Sequence, residues 1–171
     1  MANDLKIIDL ETGTRELGPN EEGEITIEGP AVMNGYWNRP EETAQVLREG
    51  WLHTGDIGLM DEEGYVKILG RKRELIKCSG YSVFPAEVED LLYNHPAVKE
   101  AAVIGMSDPY RGETPKAFII LNDEYVNKVK EDEILEWCKD NMAAYKRRRI
   151  VEFREDLRRS AAGKVLKRLL T

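Results

Sequence analysis

Cysteine and histidine are nearly absent from this sequence, with two of each in 171 residues. Cys78 and Cys138 lie far apart with no C-x-x-C spacing, so neither a disulfide framework nor a zinc site is indicated. A reducing, cytoplasmic setting is expected. His53 and His95 form no cluster at metal-ligand spacing, and no metal is expected to bind this chain. Long apolar runs are missing as well. The longest, Ala101 to Met106, has six residues against the roughly 18 that a spanning helix needs, which excludes a transmembrane helix. Met1-Ala2-Asn3-Asp4 lacks the basic segment and apolar core of a secretory signal. Internal repeats and low-complexity tracts are also absent.

What is present is an ordinary globular composition, 42% hydrophobic and 33% charged, with a net charge of −7. The charge is unevenly placed. Tyr145 to Thr171 holds ten basic and three acidic residues, a balance of +7, so positions 1 to 144 carry −14. A basic tail on an acidic body calls for an anionic partner: nucleic acid, a phosphate-bearing small molecule, or the protein's own acidic surface.

The patterning divides the chain. Leu5 to Leu10 and Gly23 to Gly29 read as antiparallel strands, with Glu11 to Thr14 as a turn. Pro40-Glu41-Glu42 opens a short helix expected to run to Gly50. Asp56 to Met60 and Tyr65 to Leu69 flank a four-residue loop ending in Gly64, a hairpin signal. The charged bridge Arg71-Lys72-Arg73-Glu74 marks a candidate boundary, giving units 1–70 and 71–171. Beyond it Leu75 to Val83 reads as a second hairpin turning at Ser79-Gly80, and Pro85 opens a helix through Asn94. Ala97 to Gly105, Pro115 to Leu121 and Arg149 to Phe153 are strand-like, Glu131 to Met142 is an amphipathic helix, and Lys164 to Leu170 is expected to form a helical turn or two. The expected class is α+β: a mostly antiparallel β unit, then a small α/β unit with a central sheet and flanking helices.

Several residues have two readings. Ser160-Ala161-Ala162-Gly163-Lys164 can present a lysine to a phosphate or oxyanion, or be a solvated turn. It is not a Walker loop, since Arg158 stands where the first glycine belongs. Asp56, past Gly55 at the entry of a strand, can accept bonds from a ribose diol or cap a turn. Gly80 suits a turn needing positive φ, and Lys77 beside it reads as an exposed strand residue. His95 reads as a helix end. The Lys146 to Arg149 run reads as a solvated basic face, because only Tyr145 and Phe153 lie near it as stacking platforms for nucleic acid.

The order of these signals resembles the C-terminal part of the adenylate-forming enzymes, the superfamily of acyl-CoA synthetases, luciferase and peptide-synthetase adenylation domains. Gly23-Glu24-Ile25 with Gly29, Val32 and Gly35-Tyr36 is similar to its G-E-[LI]…G…V…G-Y segment, and Gly50 to Asp56 to G-W-x-x-T-G-D. Gly70 to Glu89 is similar to the hinge motif G-R-x-[KD]-[DE]-x-I-[KN]-x-x-G-x-x-[VI]-x-P-x-E-[VI]-E, and Ser160 to Lys164 to the terminal [TS]-x-[SA]-G-K. Ala144-Tyr145-Lys146, Ile150 to Phe153 and Gly163 to Arg168 are most similar to fatty-acyl-CoA ligases. Arg158 replaces the usual proline and Ala162 the usual serine, leaving Lys164 in register.

The resemblance implies an AMP-forming acid–thiol ligase. ATP and a fatty acid give an acyl-adenylate and pyrophosphate, and CoA then takes the acyl group. It implies that Asp56 binds the ribose hydroxyls with Arg71 assisting, and that Arg73 is a hinge for a mobile lid. Lys164 serves adenylation, while Lys77 and Gly80 face the site for thioester formation along the pantetheine path. The family's phosphate loop and Y-G-x-T-E motif occur nowhere in the chain, which implies a fragment inactive alone, with the Mg–ATP grip and acyl tunnel upstream. The competing readings are an adenylation domain loading a carrier-protein pantetheine and, from another class, a basic-tailed nucleic-acid-binding module.

Overall fold

The computed structural model describes residues 3–143 and 150–170. The expected motif at Ala144 to Lys146 and the basic run Lys146 to Arg149 lie outside the described residues. The chain divides into two compact units, residues 1–73 and 74–171.

The first unit is a five-stranded antiparallel sheet. Strands β1 (Asp4–Ile8) and β2 (Gly23–Glu28) pair with Ile7 opposite Ile25, and Ile7, Ile8 and Ile25 are buried together with Ile57. Helix α1 (Pro40–Val46) starts at its proline, as the sequence indicates, but ends sooner than the reading to Gly50. Leu47–Arg48 forms β3 instead, pairing with the start of β4 (Trp51–Met60) across Glu49 and Gly50, both at positive φ. A two-residue turn of that kind matches the twist of a hairpin and withdraws Leu47 from the helix. Strand β4 therefore begins at Trp51, and Asp56 lies in mid-strand rather than at its entry. Strand β5 (Val66–Arg71) closes the sheet against the second half of β4.

The division falls within a 3₁₀ turn, Lys72–Glu74. The second unit opens with the hairpin β6 (Ile76–Cys78) and β7 (Tyr81–Val83), turning at Ser79 (φ 52°) and Gly80 (φ 83°). Helix α2 (Pro85–Tyr93) follows, with its proline at the first turn, where a missing N–H costs nothing. The next two strands, β8 (Val98–Asp108) and β9 (Gly112–Leu121), pair antiparallel along their length. Only the short segment Pro109-Tyr110-Arg111 separates them, and they correspond to the two successive strand-like runs read from the sequence at Ala97 to Gly105 and Pro115 to Leu121. Helix α3 (Glu131–Asn141) then crosses over to β10 (Ile150–Phe153), which runs parallel to β9.

Strand β9 is central and buried on both faces, which explains its apolar run from Ala117 to Leu121. Ala117, Ile119 and Leu121 pack with Val88 and Leu92 of α2 and Ile134 and Cys138 of α3. Phe118, on the opposite face, packs with Ala102 and with Leu157 of the terminal segment, flanked by Val165 and Leu170. That segment ends in a single 3₁₀ turn, Lys167–Leu169, in place of the longer helical stretch expected from Lys164.

Candidate functional site

In the first unit the expected ribose-binding residues are side by side. Asp56 and Arg71 are register partners on β4 and β5, and Arg71 Nε lies 2.9 Å from Asp56 Oδ1. A local irregularity presents Asp56. Between the pairs Thr26↔His53 and Glu24↔Ile57, β2 has one residue and β4 has three, Thr54-Gly55-Asp56. A bulge of this sort re-aims a side chain out of the ladder.

The bulge is stapled from beneath. Thr54 Oγ1 donates to the Ile25 carbonyl (2.8 Å) and accepts the Asp56 N–H (3.1 Å), and the Gly55 N–H donates to Glu24 Oε1 (3.2 Å). Glu24 is 4% exposed, and its other oxygen receives Lys72 Nζ at 2.8 Å, with His53 Nδ1 at 3.5 Å. Burial alone would raise the Glu24 pKa. The hydrogen bond and charge of Lys72, with His53 behind it, outweigh that and hold the carboxyl below the usual carboxylate range. A buried carboxylate this well paired fixes the conformation of the loop above it. Sequence reasoning assigned Glu24 no role, although it stands in the G-E-I segment.

In the second unit the expected residues sit on two different elements. Lys77 and Gly80 share the β6–β7 hairpin. The Lys77 ammonium donates across it to Ser82 Oγ (3.0 Å), and its backbone N–H donates to Glu113 Oε2 (2.7 Å) on β9. A Cβ at Gly80 would meet nothing within 4 Å, so the turn faces open space.

Lys164 stands on the terminal loop, exposed, with no ion-pair partner among the described residues. Its backbone is anchored on both sides. The Lys164 carbonyl accepts the Ser160 N–H (2.8 Å), the Lys164 N–H donates to Ser160 Oγ (3.2 Å), and the Gly163 N–H donates to the Ser160 carbonyl (2.9 Å). Three residues further on, Lys167 Nζ bonds Glu89 Oε1 (2.8 Å) and lies 3.3 Å from Glu74 Oε2. Arg73 is exposed on the 3₁₀ turn where the units divide.

His95 is a structural residue. Its Nδ1 accepts the Ala97 N–H (3.1 Å) and its ring meets Trp137 edge-on at 5.3 Å. Among the described residues no group of three or more His, Cys, Asp or Glu is arranged to hold a metal ion. No helix among them is long and apolar enough to cross a membrane. A 160 Å³ pocket lined by Lys6, Trp51 and His53, and a 520 Å³ groove lined by Ile120, Val126 and Phe153, contain none of Asp56, Arg71, Lys77, Gly80 and Lys164.

Residues 87–164 match the family described as the AMP-binding enzyme C-terminal domain. A long-chain-fatty-acid–CoA ligase of Bacillus subtilis is 48% identical over 99% of this chain, and a feruloyl-CoA synthase of Amycolatopsis is 44% identical over 87% of it. Among solved structures, the o-succinylbenzoate CoA synthetase of Bacillus subtilis in complex with the acyl-adenylate intermediate superposes with a TM-score of 0.87 over 98% of the chain at 37% identity. The chain spans 30% of the length of each of the two curated relatives and 33% of the solved chain. It belongs to the adenylate-forming enzymes and carries their AMP-binding C-terminal domain.

Proposed function

We propose that this chain is the C-terminal portion of an AMP-forming ligase that joins a long-chain fatty acid to CoA in the cytoplasm. Residues 1–73 then close the large catalytic domain, and residues 74–171 are the lid that turns about Arg73 between the half-reactions. The observation that carries the reading is Lys164, a lone ammonium on a loop whose backbone is hydrogen-bonded on both sides.

In the first half-reaction the fatty-acid carboxylate attacks the α-phosphorus of ATP, the bond to the β-phosphate oxygen breaks, and pyrophosphate leaves. Two anions meet in that step. A cation placed there stabilises the transition state more than the separated reactants, which is the condition for catalysis. Asp56, with one oxygen on Arg71, accepts hydrogen bonds from the ribose hydroxyls with the other. The Mg–ATP grip and the acyl tunnel lie in the part of the enzyme this chain does not contain. In the second half-reaction the CoA sulfur attacks the acyl carbon and AMP leaves. The hairpin of Lys77 and Gly80 serves that step, and the open space above Gly80 is where the pantetheine passes.

Identity with the long-chain ligase supports a fatty acyl group. The 44% identity with a feruloyl-CoA synthase supports an aromatic acid as the second reading. Pyrophosphate exchange by the full-length enzyme with palmitate against ferulate separates the two, and exchange with neither refutes both. The isolated chain is expected to give no exchange with either acid. Exchange by the pure chain that depended on Lys164 would refute the fragment reading.

A further inference from the structure

Lys164 follows a glycine at φ 78°, in a stretch where the family's proline and serine are Arg158 and Ala162. Something other than proline rigidity must therefore aim it. Arg159 is placed to do so. Its Nη1 donates to the Gly163 carbonyl at 2.7 Å, and its Nη2 pairs with Glu100 on β8. The backbone at Arg159 also bridges Val165 across the loop, and the Leu166 N–H donates to the Arg158 carbonyl at 2.8 Å.

The geometry has a specific consequence. The Gly163 carbonyl and the Lys164 N–H belong to one planar peptide unit. With the carbonyl held by Arg159 and the N–H by Ser160 Oγ, rotation of that plane is blocked from both sides. The Lys164 carbonyl, held by the Ser160 N–H, blocks the next. The direction of the Lys164 Cα–Cβ bond is thereby set. Glu100 lies on a strand paired along its length with β9, so the fork of the guanidinium ties the loop to the central sheet of the unit. A guanidinium can hold a carbonyl and a carboxylate at once through separate N–H groups, whereas an ammonium lacks that planar reach.

We propose that Arg159, braced by Glu100, is a positioning residue that aims Lys164 for adenylation. The proposal rests on the reading of Lys164 given above. It does not depend on the acyl group.

The test has two arms. On the 171-residue chain, hydrogen exchange of the 160–165 amides should accelerate in Arg159→Ala and, less, in Glu100→Gln, with exchange in β8 and β9 unchanged. In the full-length ligase, Arg159→Ala should lower kcat for adenylation by about ten- to a hundredfold, the scale of a misplaced catalytic group. KM for ATP and thioester formation from supplied acyl-adenylate should stay at parental values. Arg159→Lys should recover only part of the loss. A purely structural role would lower both half-reactions together, and that result overturns the proposal. So does unchanged exchange at 160–165, or parental adenylation by Arg159→Ala in an enzyme that Lys164→Ala inactivates. If Lys164→Ala itself adenylates normally, the reading of Lys164 fails, while the exchange arm still reports whether Arg159 holds the loop.

Discussion

Truncating Lys164 should separate chemistry from folding. The side chain is exposed and takes part in no ion pair among the described residues, and all the loop's hydrogen bonds at this position run through the backbone. Lys164→Ala therefore removes a charge and leaves the fold intact, with a stability change inside about 0.5 kcal/mol. Its effect on adenylation is of another size. Removing one preorganised partner of a developing oxyanion costs about 100- to 1,000-fold in rate, or roughly 2.7 to 4 kcal/mol. The assay is ATP–pyrophosphate exchange by the full-length ligase, run beside thioester formation from supplied acyl-adenylate and CoA, with thermal unfolding as the control. Exchange should fall by that factor while the second step stays near the parental rate. Equal loss of both half-reactions refutes the assignment of Lys164 to the first step. A lowered unfolding temperature shows that the side chain supports the fold.

A bulky residue at Gly80 should act in the opposite sense. A Cβ there meets nothing within 4 Å, so Gly80→Trp adds only the strain of a positive φ, about 1 to 2 kcal/mol, and fills the space proposed for pantetheine. Thioester formation should fall and pyrophosphate exchange persist, and equal loss of both would refute that placement. Arg73→Pro, which fixes φ near −65° and removes a donor, should lock the lid and uncouple the half-reactions, while Arg73→Ala should be mild in both; a proline variant turning over both steps at the parental rate would move the pivot elsewhere. For His95, burial lowers the pKa and the Glu133 charge only partly counters it. The unfolded chain thus takes up its proton first, so the stability this residue contributes is present above 6.5 and is lost as pH falls through that value and through the lower folded one. Urea unfolding followed across that range should show the loss, and His95→Asn should flatten it; an unchanged profile would show that His95 does not contribute.

Local signals in this sequence determine local geometry. Pro40 and Pro85 each open a helix because their fixed φ and missing N–H suit a first turn. Ser79-Gly80 makes a hairpin turn because the glycine accepts a positive φ. The order of the motifs, from Gly23-Glu24-Ile25 to Gly163-Lys164, was enough to point to the adenylate-forming enzymes. Pairings between distant residues were decided by the tertiary structure alone. The Glu49-Gly50 turn drew Leu47 and Arg48 out of the helix, since their strand is stable only with Trp51 and Leu52 to pair with. The antiparallel match of β8 with β9, and the parallel docking of β10, depend on which apolar faces meet across the sheet. The support of Asp56 by Glu24 and Lys72, and of the Lys164 loop by Arg159 and Glu100, joins residues 31 to 59 positions apart. A charged side chain carries no mark of its partner in the sequence, because the bond forms only after backbone pairing has brought the two within reach.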